Sequence, residues 1–171
     1  MENDFFERLK NIRLIALDVD GVLTDNGLLI TEEGHLLRTM HARDGYATAK
    51  ALSEGLHVII ITAGNSLGVL TRLENLGVSK VFSQTRNKLQ TLRKYCEEQQ
   101  IQKEEVLYMG DDLLDLEAIR WAGISACPKD AIQEVKEVSD YICTLEGGKG
   151  CVREMIELIL KHQDKWLNRI I

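Results

Sequence analysis

The feature that most constrains this chain is a series of short, almost wholly aliphatic runs: Leu14-Ile15-Ala16-Leu17, Val58 to Ile61, Val81-Phe82, Val106-Leu107-Tyr108-Met109, Ile124-Ser125-Ala126 and Tyr141-Ile142-Cys143. A strand with one face in water alternates apolar and polar residues, so runs without alternation fit strands covered on both faces. Helical patterns lie between them, at about Gly45 to Glu54, Ser66 to Leu76, Lys88 to Gln99, Leu113 to Trp121 and Ile132 to Glu137. Such alternation predicts an α/β fold with a doubly wound, mostly parallel sheet.

One segment breaks the pattern. Leu28 to Thr31 and Leu36 to Met40 flank Glu32-Glu33-Gly34, a spacing that predicts a β-hairpin over about residues 27–40. It follows the first strand directly. Ligands of open α/β sheets sit at the carboxyl ends of strands, so this hairpin is expected to stand over the site as a flap or an assembly surface. Near the other end, Gly147-Gly148-Lys149-Gly150 precedes a helix that places Val152, Met155, Ile156, Ile159 and Leu160 on one face, together spanning about residues 147–163. No linker or repeat divides the chain, and 171 residues suit a single domain, 1–171.

Charge and composition remove whole classes of function. The formal net charge is -6 and no dense Lys/Arg run occurs, so a nucleic-acid partner is not expected. The longest aliphatic run is far too short to span a bilayer, and Met1 to Lys10 contains no signal-like apolar stretch; a cytoplasmic protein without membrane contact is expected. Cys96, Cys127, Cys143 and Cys151 lack zinc-like spacing and read as reduced structural thiols, and the four histidines have no metal-ligand spacing.

Two acidic clusters carry the chemistry. The first aliphatic run leads into Asp18-Val19-Asp20-Gly21, and the fourth into Gly110-Asp111-Asp112-Leu113-Leu114-Asp115. Carboxylates at the ends of buried strands are costly without a partner. If the two strands are neighbours, a divalent cation relieves the repulsion, and all-oxygen donors without clustered His or Cys point to Mg²⁺. Such a set suits phosphoryl transfer: one carboxylate attacks phosphorus, and a second protonates the leaving alcohol and later activates water.

With these residues in view, the chain resembles the haloacid dehalogenase (HAD) superfamily of phosphatases, whose four-part pattern is readable in order. The resemblance makes Asp18 the nucleophile and Asp20 the general acid/base, with the Asp20 carbonyl a metal ligand. It makes Thr62 the hydroxyl that binds the phosphoryl group and Lys88 the lysine joining nucleophile and phosphate. Asp111 becomes the metal ligand beside Asp18, supported by Asp112 and Asp115. Too few residues separate these motifs for a large cap domain, so the chain is similar to the capless members.

Among those, the opening Asp20 to Asp25, the flap, Arg43-Asp44-Gly45-Tyr46, Gly110-Asp111-Asp112 and the closing Gly147 to Gly150 with Arg153-Glu154 are similar to the phosphatases of 3-deoxy-D-manno-octulosonate 8-phosphate (KDO 8-phosphate). That likeness implies a homotetramer, a phosphorylated sugar acid as substrate, and substrate contacts from Ala63, Gly64, Asn65, Arg72, Gly147, Gly148 and Lys149. Thr62-Ala63-Gly64-Asn65 departs from the pattern, since relatives carry an arginine soon after the threonine, and Asn65 cannot pair bidentately with a carboxylate. A nine-carbon 2-keto-3-deoxy sugar acid 9-phosphate is therefore the competing substrate. A non-catalytic tetrameric partner of a sugar-nucleotide enzyme is the competing class, and the set Asp18, Asp20, Thr62, Lys88 and Asp111 argues against it.

Overall fold

The structure, a computed structural model, describes residues 2–167 and Ile170. Six strands form one parallel sheet: β1 (Leu14–Leu17), β4 (His57–Ile61), β5 (Lys80–Phe82), β6 (Val106–Met109), β7 (Ile124–Cys127) and β8 (Tyr141–Ile142), in the order β5-β4-β1-β6-β7-β8. The chain leaves β1 toward β4 and β5, then returns to lay β6 on the other side of β1. Leu17 is level with both Ile60 and Met109, so β1, β4 and β6 deliver their carboxyl ends to one place. That place is the topological switch point, where sheets of this kind hold ligands.

Strand periodicity divides the core in two. Ile15, Leu17, Val58, Ile60, Leu107 and Met109 face one layer of helices: α1 (Glu2–Leu9), α2 (Ala42–Ser53), α3 (Leu67–Asn75) and α7 (Cys151–His162). Leu14, Ala16, Ile59, Ile61, Val106 and Tyr108 face the other: α4 (Lys88–Gln99), α5 (Leu116–Trp121) and α6 (Gln133–Lys136). Both faces are covered, which explains why the aliphatic runs show no alternation. The five apolar residues expected on one face of the last helix are all buried. Asp44 ties that helix to α2 by accepting the Arg153 N–H at 2.7 Å. Two details depart from the periodicity reading. Helix α1 lies in a stretch read only for its lack of signal character, and Leu113–Asp115 forms a 3-10 turn ahead of α5.

The flap is a two-stranded hairpin, β2 (Leu29–Ile30) against β3 (Leu36–Leu37), shorter than its apolar flanks suggest. Gly34 turns it with φ of +83°, and a Thr24–Met40 bridge closes its base. Leu28, Leu29, Ile30, Leu36 and Leu37 are all exposed. Among the described residues, no helix is long and apolar enough to cross a membrane. All four cysteines are buried and unpaired, and burial pushes the Cys96 thiol up to about 11, which suits inert structural thiols.

Candidate active site

Asp18 directly follows β1, and its N–H still donates to the Met109 carbonyl at 3.0 Å. Pairing thus continues one residue beyond the strand and brings Asp18 beside Gly110-Asp111. Its Oδ1 accepts the Val19 N–H at 2.7 Å, and its Oδ2 lies 2.6 Å from Lys88 Nζ. Lys88 is the first residue of α4, where the Asn87 side chain accepts the Gln90 N–H and fixes the start of the helix. Its ammonium, 2% exposed, also meets Asp115 Oδ1 at 2.7 Å. A lysine so buried persists because two carboxylates flank it; their charges hold its pKa above the usual value against the opposing effect of burial.

Asp18, Asp111 and Asp115 bring carboxylate oxygens within 4.8 Å of one another. They are not equivalent. Asp115 Oδ1 accepts from Lys88 and, at 2.6 Å, from the Tyr108 hydroxyl; its Oδ2 accepts the N–H groups of Asp111 and Asp112 at 3.1 and 3.2 Å. Its lone pairs are therefore occupied. Asp111 is the opposite case, for its buried Oδ1 has no hydrogen-bond partner among the described residues. Three carboxylates against one ammonium leave an excess of negative charge. Burial first, then the charge of Asp115, raises Asp18 to about 7; burial first raises Asp111 to about 6, although Asn26 opposes it. An unpartnered carboxylate oxygen within an over-negative, all-oxygen cluster fits a hard divalent cation held by Asp18 and Asp111, with Asp115 orienting them.

The other expected residues fall into three groups. Thr62 follows β4, is 6% exposed, and its Oγ1 accepts the Gly64 N–H at 3.0 Å. A Cβ placed on Gly64 would lie 3.4 Å from both Thr62 Oγ1 and Asp20 Oδ2, so Asp20, Thr62 and Gly64 border one space. Ala63 and Asn65 are exposed on the same loop. Gly64, Asn65 and the exposed Arg72 line a groove of ≈ 940 Å³ between α3 and the hairpin. Asp112 stays out of the cluster: it is exposed, and its Oδ1 accepts the Leu113 N–H to start the 3-10 turn. Gly147 and Gly148 are buried against the chain's own Gly21–Asp25 loop. A Cβ on Gly147 would stand 2.0 Å from the Gly21 carbonyl oxygen, and Lys149 Nζ pairs with Asp25 at 3.1 Å.

Three site residues escaped the sequence reading. Tyr108 carries a hydroxyl into a buried strand, a polar group that needs an internal partner, and this signal was available. Asn26 donates Nδ2 to Asp111 Oδ2 at 2.8 Å from a left-handed backbone, yet Asp25-Asn26-Gly27 reads as an ordinary turn. Arg38, in the hairpin, pairs with Asp20 through Nε at 2.6 Å and Nη2 at 3.1 Å. No local pattern announces that contact across 18 residues.

Residues 71–155 match the family of haloacid dehalogenase-like hydrolases. The 3-deoxy-D-manno-octulosonate 8-phosphate phosphatase KdsC of Escherichia coli (strain K12) is 36% identical over 162 residues, covering 95% of this chain and 86% of the relative. The chain belongs to this family of HAD-like phosphatases. Among solved structures, the phosphatase of the same description from Moraxella catarrhalis, in complex with magnesium ion, phosphate ion and KDO, aligns with a TM-score of 0.94 at 35% identity, covering 97% of this chain and 95% of that one. The cobalt-bound form of the Haemophilus influenzae phosphatase aligns at 0.90 and 30% identity, covering 95% and 96%. The fold matches these phosphatase structures: the sheet is parallel and flanked by helices, and among the described residues no large cap is inserted.

Proposed function

We propose that this chain is a Mg²⁺-dependent phosphomonoesterase that converts KDO 8-phosphate to KDO and phosphate through an aspartyl-phosphate on Asp18. The observation that carries this reading is the cluster at the switch point, in which Asp18 touches Lys88 and lies beside a buried, unpartnered Asp111 oxygen. Membership of the phosphatase family supports the substrate.

In this reading Asp18 Oδ2 attacks phosphorus in line, the ester P–O bond breaks, and Asp20 gives a proton to the departing sugar oxygen. Asp20 then takes a proton from the water that displaces Asp18 from phosphorus. Lys88 holds the nucleophile in place and offsets the charge of the phosphoryl oxygens, while the Thr62 hydroxyl donates to one of them. Asp115 keeps Lys88 in register, and Asp112 serves the turn that supports Asp111. The Asp18 and Asp111 carboxylates and the Asp20 carbonyl would hold Mg²⁺, which would supply charge cancellation for the attack on phosphate.

Ala63, Gly64, Asn65 and Arg72 form the proposed substrate side of the groove. Gly147, Gly148 and Lys149 complete the proposed substrate-binding set, beside the Gly21–Asp25 loop. The exposed leucines and Ile30 of the hairpin support assembly as a homotetramer, and the four unpaired thiols support a cytoplasmic setting. The test compares kcat/KM on KDO 8-phosphate, its nine-carbon 9-phosphate analogue and glucose 6-phosphate, with and without Mg²⁺. The expected order puts KDO 8-phosphate first, with activity lost on chelation. Preference for the nine-carbon ester would move the substrate assignment, and Asn65 in place of arginine makes that comparison worth running.

A further inference from the structure

We infer that Arg38 is a positioning residue for the general acid/base Asp20, an assignment that rests on the catalytic reading above. Asp20 lies two residues past Asp18, where the strand pairing ends, with its side chain about a third exposed. Apart from Arg38, its side-chain hydrogen-bond partner among the described residues is the Thr24 hydroxyl at 3.4 Å, at the limit of a hydrogen bond. A carboxylate so lightly tethered would turn about two side-chain bonds, and an acid that must meet one leaving-group oxygen cannot do its work from several directions.

Arg38 removes that freedom. Its Nε and Nη2 grip the two Asp20 oxygens at 2.6 and 3.1 Å, a planar fork that fixes the orientation of the carboxylate as well as its place. The guanidinium is held in turn: its side chain is 9% exposed, and Nη1 donates to the Leu36 carbonyl at 3.2 Å. A line of constraint thus runs from the β3 backbone through Arg38 to Asp20. It ends at the space bordered by Asp20, Thr62 and Gly64, with Arg38 Nη2 3.8 Å from a Cβ placed on Gly64. Because one partner remains partly in water, the pair adds little to stability, and its removal should leave the fold intact.

The experiment uses the Mg²⁺-loaded protein and two esters that differ in their need for an acid. KDO 8-phosphate expels an alkoxide that requires a proton; p-nitrophenyl phosphate expels a phenolate that leaves without one. Arg38→Met should lower the pre-steady-state rate of alcohol release from KDO 8-phosphate by roughly 10- to 100-fold, with KM changed less than about threefold and p-nitrophenolate release in the same first turnover slowed less than about threefold; the first turnover is read because the later step, in which Asp20 acts as base, is common to both esters. Arg38→Lys, which keeps the charge but loses the fork, should recover only part of the loss, and both variants should melt within ~4 °C of the parent. Equal losses on the two esters, or a loss confined to KM, would overturn the assignment. Asp20→Asn serves as reference and should show the same split, only larger. If the parent is inert on both esters, or Asp20→Asn shows no split, the catalytic reading itself fails and Arg38's role with it; a split for Asp20→Asn that is missing for Arg38→Met removes Arg38 alone.

Discussion

Asp18, Asp111 and Asp115 carry the same side chain in one small volume, and their different partners give them different work. Asp115, filled by four donors, is a fixed strut, whereas Asp111 retains a bare buried oxygen and Asp18 shares Lys88. Asp18→Asn should therefore abolish turnover, by a factor on the order of 10⁴ or more in kcat, while the protein still folds. The raised values of Asp18, about 7, and Asp111, about 6, set a pH dependence. Each folded value lies above its unfolded one, so their contribution to stability is fully present at acid pH and is lost as pH rises through the folded values. Mg²⁺ held by the ionised pair, as proposed, would reverse that loss. Calorimetry should accordingly show Mg²⁺ binding more tightly from pH 5 to about 7 and levelling above it, and the Mg²⁺-induced rise in Tm should be larger at pH 8 than at pH 5. Gly21 makes a sharper point: it has φ of +86°, and a Cβ there would stand 1.9 Å from Asp111 Oδ2. Gly21→Ala should cost Mg²⁺ affinity by titration calorimetry as well as activity, because the intruding methyl displaces the Asp111 carboxylate proposed as a ligand.

At the scale of elements, legibility tracked how local each cause was. The bounds of β1, β6 and α4 follow from hydrophobic runs and a capping Asn87, and the apolar face of α7 was readable from spacing alone. The glycine segment before α7 was not. Glycines alone permit either a flexible or a tightly turned element, and burial against Gly21–Asp25 makes this one a tight turn in its own chain. Gly147→Ala should destabilise the protein by about 1–3 kcal/mol in a denaturant titration, because the added methyl meets the Gly21 carbonyl. Arg38 and Asn26 were illegible for the same physical reason: each acts on a residue brought near by folding, and neither has a neighbour in sequence that implies its partner.

For the whole molecule, the hairpin is the unfinished part. Five large apolar side chains between Leu28 and Leu37 stand in solvent together on one two-stranded ribbon. Replacing Leu29 and Ile30 together by Glu should shift the light-scattering mass from the proposed tetramer toward one chain. Sequence by itself determined the parallel α/β class and the strand ends that carry the acidic clusters, because buried-strand runs and turn chemistry are local properties. Tertiary structure decided which carboxylate is bare and which is filled, where Arg38 and Asn26 reach, and that the glycines brace the Asp18 loop. Those depend on distances between segments far apart in the chain, and only the pairing of β1 with β6 and the return of α7 create them.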